Sequence, residues 1–521
     1  MICNIVLYLT NLYLINIKDS EMMADEDIYF AVFDAITGEA KPGNDAHFYT
    51  DNRKLYSAML DDLRISDGKD DFVYMANWWC DIDIPLGDPF ANPRPPLLRD
   101  VLTQISRNKR EPNINISQYS IPLIPGAQIC AMLWRHKNQK NWHGLPSAIL
   151  SLPASIFGDP LLAEINTIAF KHINSLDSDS CAILDGDHLL LGSHHQKFLI
   201  IKNKTGLVAY IGSADFNADR IYPKGSNQAK NPPTTNGAPL EDIAIRITGP
   251  VAGDVLKTFV SRWNLHSKGK SHPLRGDGYS PPLVSVGNLK AQVTHTYGAN
   301  YPYKNQAVHS ASFAIQNVID SAQRYIYFED QYLIGTDALY KSIQRKLNTS
   351  IKVDIIAVMA PLDVADDLPL LKERRSEFWY PLVEAFPTRI KLFEMTNIQG
   401  STSGDGSYLH SKLVIADDII VSVGSVNCSN RSWYHDSEIL LSVSGEMKEN
   451  KAPRSFATQV RLERWSRHLG LTKRELLKVN ESIAKWSPLP ISALVRRWTP
   501  QKIVLSPKEK YAFEHWVDPK A

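Results

Sequence analysis

Two short motifs in the chain place an imidazole and an ammonium group at the same spacing. They are the pair His195 and Lys197 and the pair His410 and Lys412. A neutral imidazole can act as a nucleophile and a protonated one as an acid, whereas an ammonium group binds and neutralises an oxyanion. Two such pairs together would supply a nucleophile, an acid and the positive charge for a reaction at an anionic group.

A single His-x-Lys motif is weak evidence, because the chain also contains one that we interpret as solvated surface. That motif, at His266 and Lys268, is not followed by an apolar strand. By contrast, His195 and His410 each open an apolar run, and a second apolar run then ends in Gly-Ser. Residues two apart on a strand share a face, so each histidine points the same way as its lysine. The matched copies therefore indicate one anion site built from both.

The motifs belong to a diverged internal repeat, in which five landmarks recur in the same order. Each half contains an aromatic strand, His-x-Lys, Gly-Ser, an acidic residue seven positions before a glycine, and Arg-Trp. The acidic residues are Asp242 and Glu438, and the Arg-Trp pairs begin at Arg262 and Arg464. Repetition over such a long period indicates two similar supersecondary units, because a solenoid would have shorter and more numerous repeats.

The elements that must position these residues are short apolar strands that alternate with amphipathic helices. The predicted strands are residues 197–201, 207–211, 242–248, 412–416, 419–423 and 438–444, and the predicted helices are 251–263 and 307–323. Such alternation is typical of layered α/β domains. We expect two similar mixed-sheet α/β lobes related by a pseudo-twofold axis, with the active site at the seam.

The predicted domain organisation has three parts. They are an N-terminal extension or leader at 1–23, an N-terminal catalytic lobe at 24–280 and a C-terminal catalytic lobe at 281–521. Three interpretations of the apolar leader stay open: a true start at Met22 or Met23, a signal or anchor, and a packed strand. The linker between the lobes is expected at 267–289. The Gly- and Ser-rich segment 397–407 is expected to be a functional loop before His410.

Composition and charge argue against several other classes of protein. A formal net charge of +1 lacks the basic excess typical of nucleic-acid binders, although a local basic cleft stays open. The five cysteines are scattered and never form a C-x-x-C pair, which favours buried free thiols over a disulfide framework or a zinc site. The chain contains no G-x-S-x-G elbow, no G-x-x-x-x-G-K-[ST] loop and no H-E-x-x-H motif.

Both motifs resemble those of a known family. Residues 410–417, 424–432 and 436–438 resemble the second catalytic motif of the phospholipase D superfamily, and 194–197 with 212–215 resemble the first, in the form found in eukaryotic-type phospholipases D. Further segments similar to that branch are 262–264, 327–334, 461–465 and 468–470. The similarity runs from about Val73 to Leu471 and implies the phospholipase D fold.

The resemblance and the position in the repeat imply a role for each candidate residue. Asp242 would hold His195, and Glu438 would hold His410. The remaining candidates are Lys197 and Lys412 as clamps on the phosphoryl oxygens, Ser213, Ser425 and Asn427 as phosphate-binding donors, and Asp215 and Asp417 as structural residues near the site. The resemblance favours His195 as the nucleophile and His410 as the acid, whereas the residues alone leave this open. Because two lysines replace the usual cation, we predict no metal and no cofactor.

The first copy departs from the family pattern at one position. Seven residues after the motif histidine, the second copy has Asp417 and the first has Lys202, so a shared role for this carboxylate is in doubt. The spacing from histidine to glycine is also longer in the first copy, 17 residues against 14. We interpret Lys202 as part of a lengthened hairpin turn that ends at Gly206, and we assign it no role in the site.

The resemblance implies a phosphodiesterase that hydrolyses glycerophospholipids to phosphatidic acid and free headgroup through a phosphohistidine intermediate, with transphosphatidylation to an alcohol as a second outcome. A nuclease or another phosphodiesterase of the superfamily is the alternative. Related synthases usually have membrane spans, which the sequence does not predict here, and a non-enzymatic scaffold fits poorly because both His-Lys pairs are intact. The expected partner is a glycerophospholipid at a membrane surface, with no nucleic acid. No stable protein partner can be deduced, and the compartment stays open between soluble, membrane-peripheral and secreted.

Overall fold

The computed structural model describes most of the chain. The described residues are 26–110, 123–135, 160–177, 179–189, 191–222, 240–281, 285–298, 307–362, 370–396, 408–447 and 454–519. The predicted leader at 1–23 and the predicted loop at 397–407 lie outside these ranges, so both stay predictions. The proposed lobe boundary near residue 280 also stays a prediction.

The described part of the chain forms strands and helices in alternation. The strands of the first half are β1 (Lys41–Tyr49), β2 (Phe72–Asn77), β3 (Lys109–Arg110), β4 (Leu123–Ile124), β5 (Gln128–Trp134), β6 (Cys181–Asp185), β7 (Phe198–Asn203), β8 (Gly206–Gly212) and β9 (Ala244–Thr248). Those of the second half are β10 (Leu289–Thr296), β11 (Tyr325–Asp330), β12 (Asp354–Met359), β13 (Ile390–Met395), β14 (Leu413–Ala416), β15 (Ile420–Gly424), β16 (Glu438–Ser444), β17 (Glu446–Met447), β18 (Arg454–Ser455) and β19 (Val495–Arg497). The α-helices are α1 (Asn52–Arg64), α2 (Leu98–Ser106), α3 (Pro160–Ile173), α4 (Pro250–Leu265), α5 (Ser310–Ser321), α6 (Asp337–Leu347), α7 (Leu371–Ala385), α8 (Phe456–Leu469), α9 (Val479–Ala484) and α10 (Pro507–Ala512).

Fifteen of the strands form one continuous sheet, whose order repeats from the centre outwards. β1 and β10 are neighbours at the centre of the sheet. Outwards from β1, the strand order of the first half is β1-β9-β8-β7-β2-β5-β6. Outwards from β10, the order of the second half is β10-β16-β15-β14-β11-β12-β13, and β19 follows at the edge. In each half the last three strands of this order are parallel and the others antiparallel. The predicted mixed α/β class is confirmed, with both halves in one sheet. The pseudo-twofold axis stays a prediction.

Burial on both faces of the sheet explains why the strands read as continuous apolar runs. All residues of β2, β5 and β11 are buried, as expected for strands covered by helices on both sides. The repeated Arg-Trp landmark lies on two of these helices. Trp263 of α4 stacks on Phe259, which stacks on Tyr74 of β2, and Trp465 of α8 packs against Tyr327 of β11. The repeated tryptophans therefore pack each covering helix onto its half of the sheet.

The longer spacing in the first copy is absorbed by longer strands, and the prediction of a lengthened turn was wrong. β7 and β8 pair over six residues, ending at Asn203 opposite Gly206, whereas β14 and β15 pair over four. Lys202 lies inside β7 and not in the turn, and its Nζ is 3.5 Å from Oδ1 of Asp71. A strand pair can be extended without changing its neighbours, because the added residues simply continue the hydrogen-bonded ladder.

Asp417 has a structural role, but it does not lie near the site as predicted. It follows β14 at the end opposite Lys412, and its carboxylate accepts the backbone N–H groups of Gln323, Arg324 and Tyr325 at 2.6, 2.8 and 2.9 Å. The Tyr29 hydroxyl also donates to it, at 2.9 Å. Asp417 thus lies at the end of β14 away from the motif lysine, where its carboxylate fixes the start of β11.

Two further predictions concern cysteines and membrane helices. The four cysteines in the described ranges, Cys80, Cys130, Cys181 and Cys428, are free and buried, as expected. Burial raises the pKa of each thiol. Among the described helices, none has both the length and the apolar composition needed to cross a membrane.

Candidate active site

The loops that carry the two His-x-Lys motifs each pair with a segment from the other half of the chain. The His195 N–H donates to the Ser437 carbonyl at 2.9 Å, and the Ser437 N–H donates back to the Ser193 carbonyl at 2.9 Å. This exchange aligns Ser193–His195 with the residue just before Glu438. The first histidine therefore lies beside the acid of the second half.

The second motif makes the same exchange in the opposite direction. The His410 N–H donates to the Glu241 carbonyl at 2.9 Å, and the Glu241 N–H donates to the Tyr408 carbonyl at 3.0 Å. Glu241 immediately precedes Asp242, so the acid of the first half is brought beside His410. The two halves thus exchange matching loops across one seam.

This exchange overturns the predicted pairing of histidines and acids. Nδ1 of His195 lies 3.1 Å from both carboxylate oxygens of Glu438, and Nδ1 of His410 lies 2.6 Å from Oδ1 of Asp242. We had expected Asp242 to hold His195 and Glu438 to hold His410. The prediction failed because Asp242 lies just before β9 and Glu438 opens β16, and the residue before each acid pairs with the opposite motif loop.

The two imidazoles are held on one side and open on the other. Both acids are fully buried, whereas the side chains of His195 and His410 are 16% and 10% exposed. Nε2 of each ring makes no hydrogen bond within the described residues. A carboxylate on Nδ1 fixes the tautomer and leaves Nε2 free to react.

Burial and nearby cations lower the pKa of both imidazoles. Burial is the largest cause of the lowered pKa in both cases. For His195 the next causes are the positive charges of Lys197 and Lys412, and for His410 the next is the charge of Lys412. Lys412 belongs to the second motif, so cations of both motifs contribute to the charge around His195. With these lowered pKa values, a neutral imidazole capable of attack is present at neutral pH.

The two buried acids differ in their electrostatic surroundings. Burial, and then the nearby charge of Asp436, raises the pKa of Glu438 to about 8. Burial also opposes ionisation of Asp242, but Arg220 and then His410 hold the pKa of that carboxyl well below its usual range. Asp242 is therefore a carboxylate at neutral pH, whereas Glu438 has a much higher affinity for a proton.

The two motif lysines also differ. Nζ of Lys197 lies 3.2 Å from Oδ2 of Asp215 and 5.9 Å from the centre of the Trp78 ring. Nζ of Lys412 donates to Oε1 of Gln331 at 3.1 Å and has no carboxylate within ion-pair distance among the described residues. Burial lowers the pKa of Lys412 to about 7. Lys412 is thus the cation without a paired anion in the site.

Asp215, which we predicted to be a structural residue near the site, contacts both a motif lysine and the backbone. Besides its contact with Lys197, its Oδ1 accepts the backbone N–H groups of Trp78 and Trp79 at 3.0 and 3.1 Å. It therefore neutralises the first lysine and fixes the segment that follows β2.

Comparison with known proteins agrees with these motifs and this fold. A family model described as "Cardiolipin synthase, PLD-like domain" matches residues 315–459, which include His410, Lys412 and Glu438. A cardiolipin synthase of Staphylococcus aureus is 23% identical over 296 residues, covering 56% of this chain and 52% of the relative. Phospholipase D A of Dictyostelium discoideum is 23% identical over 353 residues, covering 54% of this chain and 27% of that protein.

The fold has a counterpart among solved structures. The crystal structure of phosphatidylserine synthase from Haemophilus influenzae Rd KW20 matches with a TM-score of 0.50 over 87% of each chain, at 12% identity. The family model, the two relatives and the fold all support the phospholipase D superfamily. The chain spans about half the length of the curated cardiolipin synthases that it matches.

Two serines that were expected to bind phosphate lie beside the two acids. The Ser425 hydroxyl donates to the Glu438 carboxylate, and the Ser213 hydroxyl accepts the Ile243 N–H at 3.1 Å. The N–H of each serine donates to the carbonyl of the residue after the acid. The phosphate-binding role of Ser213 and Ser425 stays a prediction. The phosphate-binding role of Asn427 stays a prediction. Its side chain is buried, and Oδ1 has no hydrogen-bond partner in the described residues.

The repeated arginines support the middle residue of each motif, which sequence reasoning missed. Arg262 donates from Nη1 to Oε1 of Gln196 at 3.1 Å. In the second half, Arg464 donates to Glu329 at 2.8 Å, and Glu329 accepts the hydroxyl of Ser411 at 2.6 Å. The recurrence of Arg-Trp after each motif was the signal that could have identified this support.

A second missed residue is Arg220, whose Nε lies 2.6 Å from Oδ2 of Asp242. It stands eight residues after Gly212, and Arg431 stands seven residues after Gly424 in the second copy. Comparing the two copies beyond Gly-Ser would have drawn attention to both arginines.

One group of side chains outside the site has the composition of a cation site. Ligand atoms of Asp185, Asp187 and His266 lie within 4.8 Å of one another. Asp185 already pairs with the Arg262 guanidinium at 2.8 Å, which disfavours a metal there. His266 is buried and not solvated as predicted, because its position at the end of α4 directs it towards Asp185.

Proposed function

We propose that the chain cleaves the headgroup phosphodiester of glycerophospholipids by a two-step phosphatidyl transfer through a histidine. One observation carries the proposal: His195 and His410 each have Nδ1 held by a buried carboxylate and Nε2 open, beside two lysines. Two such imidazoles suit a reaction that needs a nucleophile and an acid on opposite sides of one phosphorus. The similarity to the phospholipase D superfamily supports the same chemistry.

In the first step, Nε2 of His195 attacks phosphorus and forms the P–N bond. The P–O bond to the headgroup breaks, and the departing oxygen takes the Nε2 proton of His410, which must be protonated for this step although burial and Lys412 lower its pKa. Lys197 and Lys412 neutralise the non-bridging oxygens, where charge develops in the transition state. Glu438, once ionised, stabilises the positive imidazole that forms when His195 is phosphorylated.

In the second step, an incoming hydroxyl attacks phosphorus and the P–N bond breaks. His410 takes the proton of this hydroxyl, which restores both histidines to their starting states. With water as the acceptor the product is phosphatidic acid, and with an alcohol it is a new phosphodiester. No metal or cofactor takes part in this scheme, because the lysines supply the positive charge.

The acceptor decides between two candidate activities. The resemblance to eukaryotic-type phospholipases D and the match to a phospholipase D of Dictyostelium favour water. The match to cardiolipin synthases favours an alcohol acceptor, as a second candidate. Both candidates use the same enzyme intermediate, and both have a glycerophospholipid at a membrane surface as the partner.

The test is a product analysis on phosphatidylcholine vesicles and on phosphatidylglycerol vesicles, each with and without a primary alcohol. A hydrolase is expected to give phosphatidic acid from phosphatidylcholine and to divert product to a phosphatidyl-alcohol when alcohol is added. A synthase is expected to form cardiolipin from phosphatidylglycerol. His195→Ala and His410→Ala serve as controls and should give neither product.

Failure on every lipid, combined with cleavage of DNA that weakens as salt rises, would favour the nuclease alternative and reject the proposal. The formal net charge of +1 argues against that outcome, because nucleic-acid binding draws most of its affinity from basic residues.

A further inference from the structure

We propose that Arg220 is a positioning residue that tunes the acid strength of His410 through Asp242. The inference rests on the proposed function, in which His410 protonates the departing headgroup. It concerns a residue outside both His-x-Lys motifs.

The three side chains form a continuous buried chain. Nε of Arg220 lies 2.6 Å from Oδ2 of Asp242, and Oδ1 of Asp242 lies 2.6 Å from Nδ1 of His410. Each carboxylate oxygen therefore faces a different partner. Asp242 is fully buried and Arg220 is 6% exposed, so little water screens the interaction between their charges.

The other half of the site is built differently, which separates this arrangement from a general feature of the repeat. Arg431 occupies the matching place after Gly-Ser, but its Nε pairs with Asp436 at 2.8 Å and not with Glu438. Glu438 accepts hydrogen bonds from the hydroxyls of Ser425 and Ser432 instead. Within the described part of the chain, of the two acids only the one that contacts His410 has an arginine in direct contact.

This asymmetry matches the two chemical tasks. A guanidinium on Asp242 offsets the negative charge that would stabilise a protonated His410, so it lowers the proton affinity of the imidazole and makes it a stronger acid. Glu438, without an arginine, keeps a high affinity for positive charge. That property suits the histidine that becomes cationic on bonding to phosphorus.

The neighbouring charges do not cancel the effect. Arg220 also pairs with Asp219 at 2.6 Å, and burial raises the pKa of Asp219 to about 6. The other groups that face this chain are Lys412 beside His410, Asp215 after β8, Ser213 on Asp242 and Tyr56 on α1. Lys412 lowers the pKa of His410 in the same direction as Arg220 does.

The first measurement is the pKa of the His410 imidazole by NMR, in the His195→Ala background, which prevents turnover. Arg220→Gln is expected to raise the pKa of His410 by about one unit, since a buried charge is removed from the carboxylate that contacts it. Arg220→Lys should restore most of the original value. An unchanged His410 titration in Arg220→Gln overturns the proposal, whether or not the enzyme acts on lipids.

The second measurement is the pH profile of kcat/KM on a soluble short-chain diester. The wild-type profile should be bell-shaped, because one histidine must be neutral and the other protonated. Arg220→Gln is expected to raise the apparent pKa of the alkaline limb by about one pH unit. It should also lower the rate of cleavage of a substrate with an alkyl leaving group roughly tenfold. A nitrophenyl leaving group needs little acid assistance and should be slowed much less.

Two matched variants separate this role from loss of structure. Arg431→Gln removes the corresponding arginine and should leave the alkaline limb in place, and Arg461→Gln removes a buried arginine paired with Asp418 and should move neither limb.

If Arg220→Gln fails to fold, the double variant Asp219→Asn/Arg220→Gln also removes the acid that has lost its arginine partner, and it should still raise the pKa of His410. Equal slowing of both leaving groups, without movement of a limb, would show that Arg220 is merely structural. If the wild type cleaves no diester, the proposed function fails and the NMR titration alone decides the role of Arg220.

Discussion

Asp242 lies 2.6 Å from Nδ1 of His410, a residue of the opposite half of the chain. The matching contact joins Glu438 to His195 at 3.1 Å. For both motif histidines the carboxylate partner therefore comes from the other half, and each reactive imidazole depends on correct docking of that half. This crossed arrangement changes what substitutions of the two acids should do.

Substitution of the acids should affect opposite steps. Asp242→Asn should slow cleavage of an alkyl leaving group by roughly 10²- to 10⁴-fold, because His410 loses the group that orients it as an acid. A nitrophenyl leaving group should largely rescue this variant. Glu438→Gln should slow both substrates, since His195 is the attacking group. Rescue of Glu438→Gln and not of Asp242→Asn would contradict the crossed pairing, and parallel kinetics on the two substrates measure it.

A covalent intermediate should form on His195 alone. His410→Ala, treated with a short-chain diester that has a nitrophenyl leaving group, is expected to accumulate a phosphoryl adduct because the second step lacks its base. His195→Ala should form no adduct with the same substrate. Intact-mass spectrometry of each variant measures whether the adduct has formed. An adduct on His410 in the His195 variant would reverse the assignment, and the absence of both an adduct and alcohol transfer would indicate direct attack by water.

Anion binding should take up a proton at Lys412. Burial holds the pKa of this ammonium at about 7, and a bound dianion should return it towards its ordinary value of 10.5. At a pH between these two pKa values, Lys412 is a neutral amine in the free enzyme and an ammonium in the complex with the anion. Sulfate binding at about pH 8.5 should therefore take up close to one proton. Calorimetry in two buffers of different ionisation enthalpy measures this number directly.

The lysine of the first motif provides the control for that experiment. Lys197→Gln should keep the proton uptake, because Lys197 is already paired with Asp215. Lys412→Gln should bind sulfate more weakly and without uptake. Equal uptake in the Lys412 variant would place the titrating group elsewhere.

Asp417 should matter for stability and not for the chemical step. Asp417→Ala leaves three backbone N–H groups without their acceptor and should lower the free energy of unfolding by about 3 kcal/mol. Chemical denaturation measures this change. Activity per folded molecule on a soluble diester should stay near that of the wild type. Lys202→Ala, at the corresponding place in the first half, should change stability by less than about 0.5 kcal/mol.

Removal of divalent cations should leave the chemistry of the site largely intact. We expect full turnover of a soluble diester in the presence of a chelator, since Lys197 and Lys412 supply the positive charge. Complete loss of turnover, restored by a divalent ion, would refute this. Stimulation by calcium on vesicles alone would not, because calcium can act on the lipid surface.

Much of the fold and of the candidate site could be predicted from the residues. The strand runs after His195 and His410, the helix at 251–263 and the mixed α/β class all follow from apolar periodicity and from the internal repeat, which local chain geometry determines. The residue types at His195, Lys197, His410 and Lys412 likewise indicated an anion site. These features depend on neighbours that are close in sequence.

Tertiary structure alone decided which acid serves which histidine. A repeat shows that Asp242 and Glu438 are equivalent, but it does not show whether each contacts its own motif or the other one. That choice is made where the residues before β9 and β16 pair with the opposite motif loops, a contact between segments far apart in sequence. The same docking places Arg220 beside Asp242 and leaves Lys412 without a carboxylate among the residues that the structure describes. Burial and charge proximity depend on the packed chain and not on spacing along it.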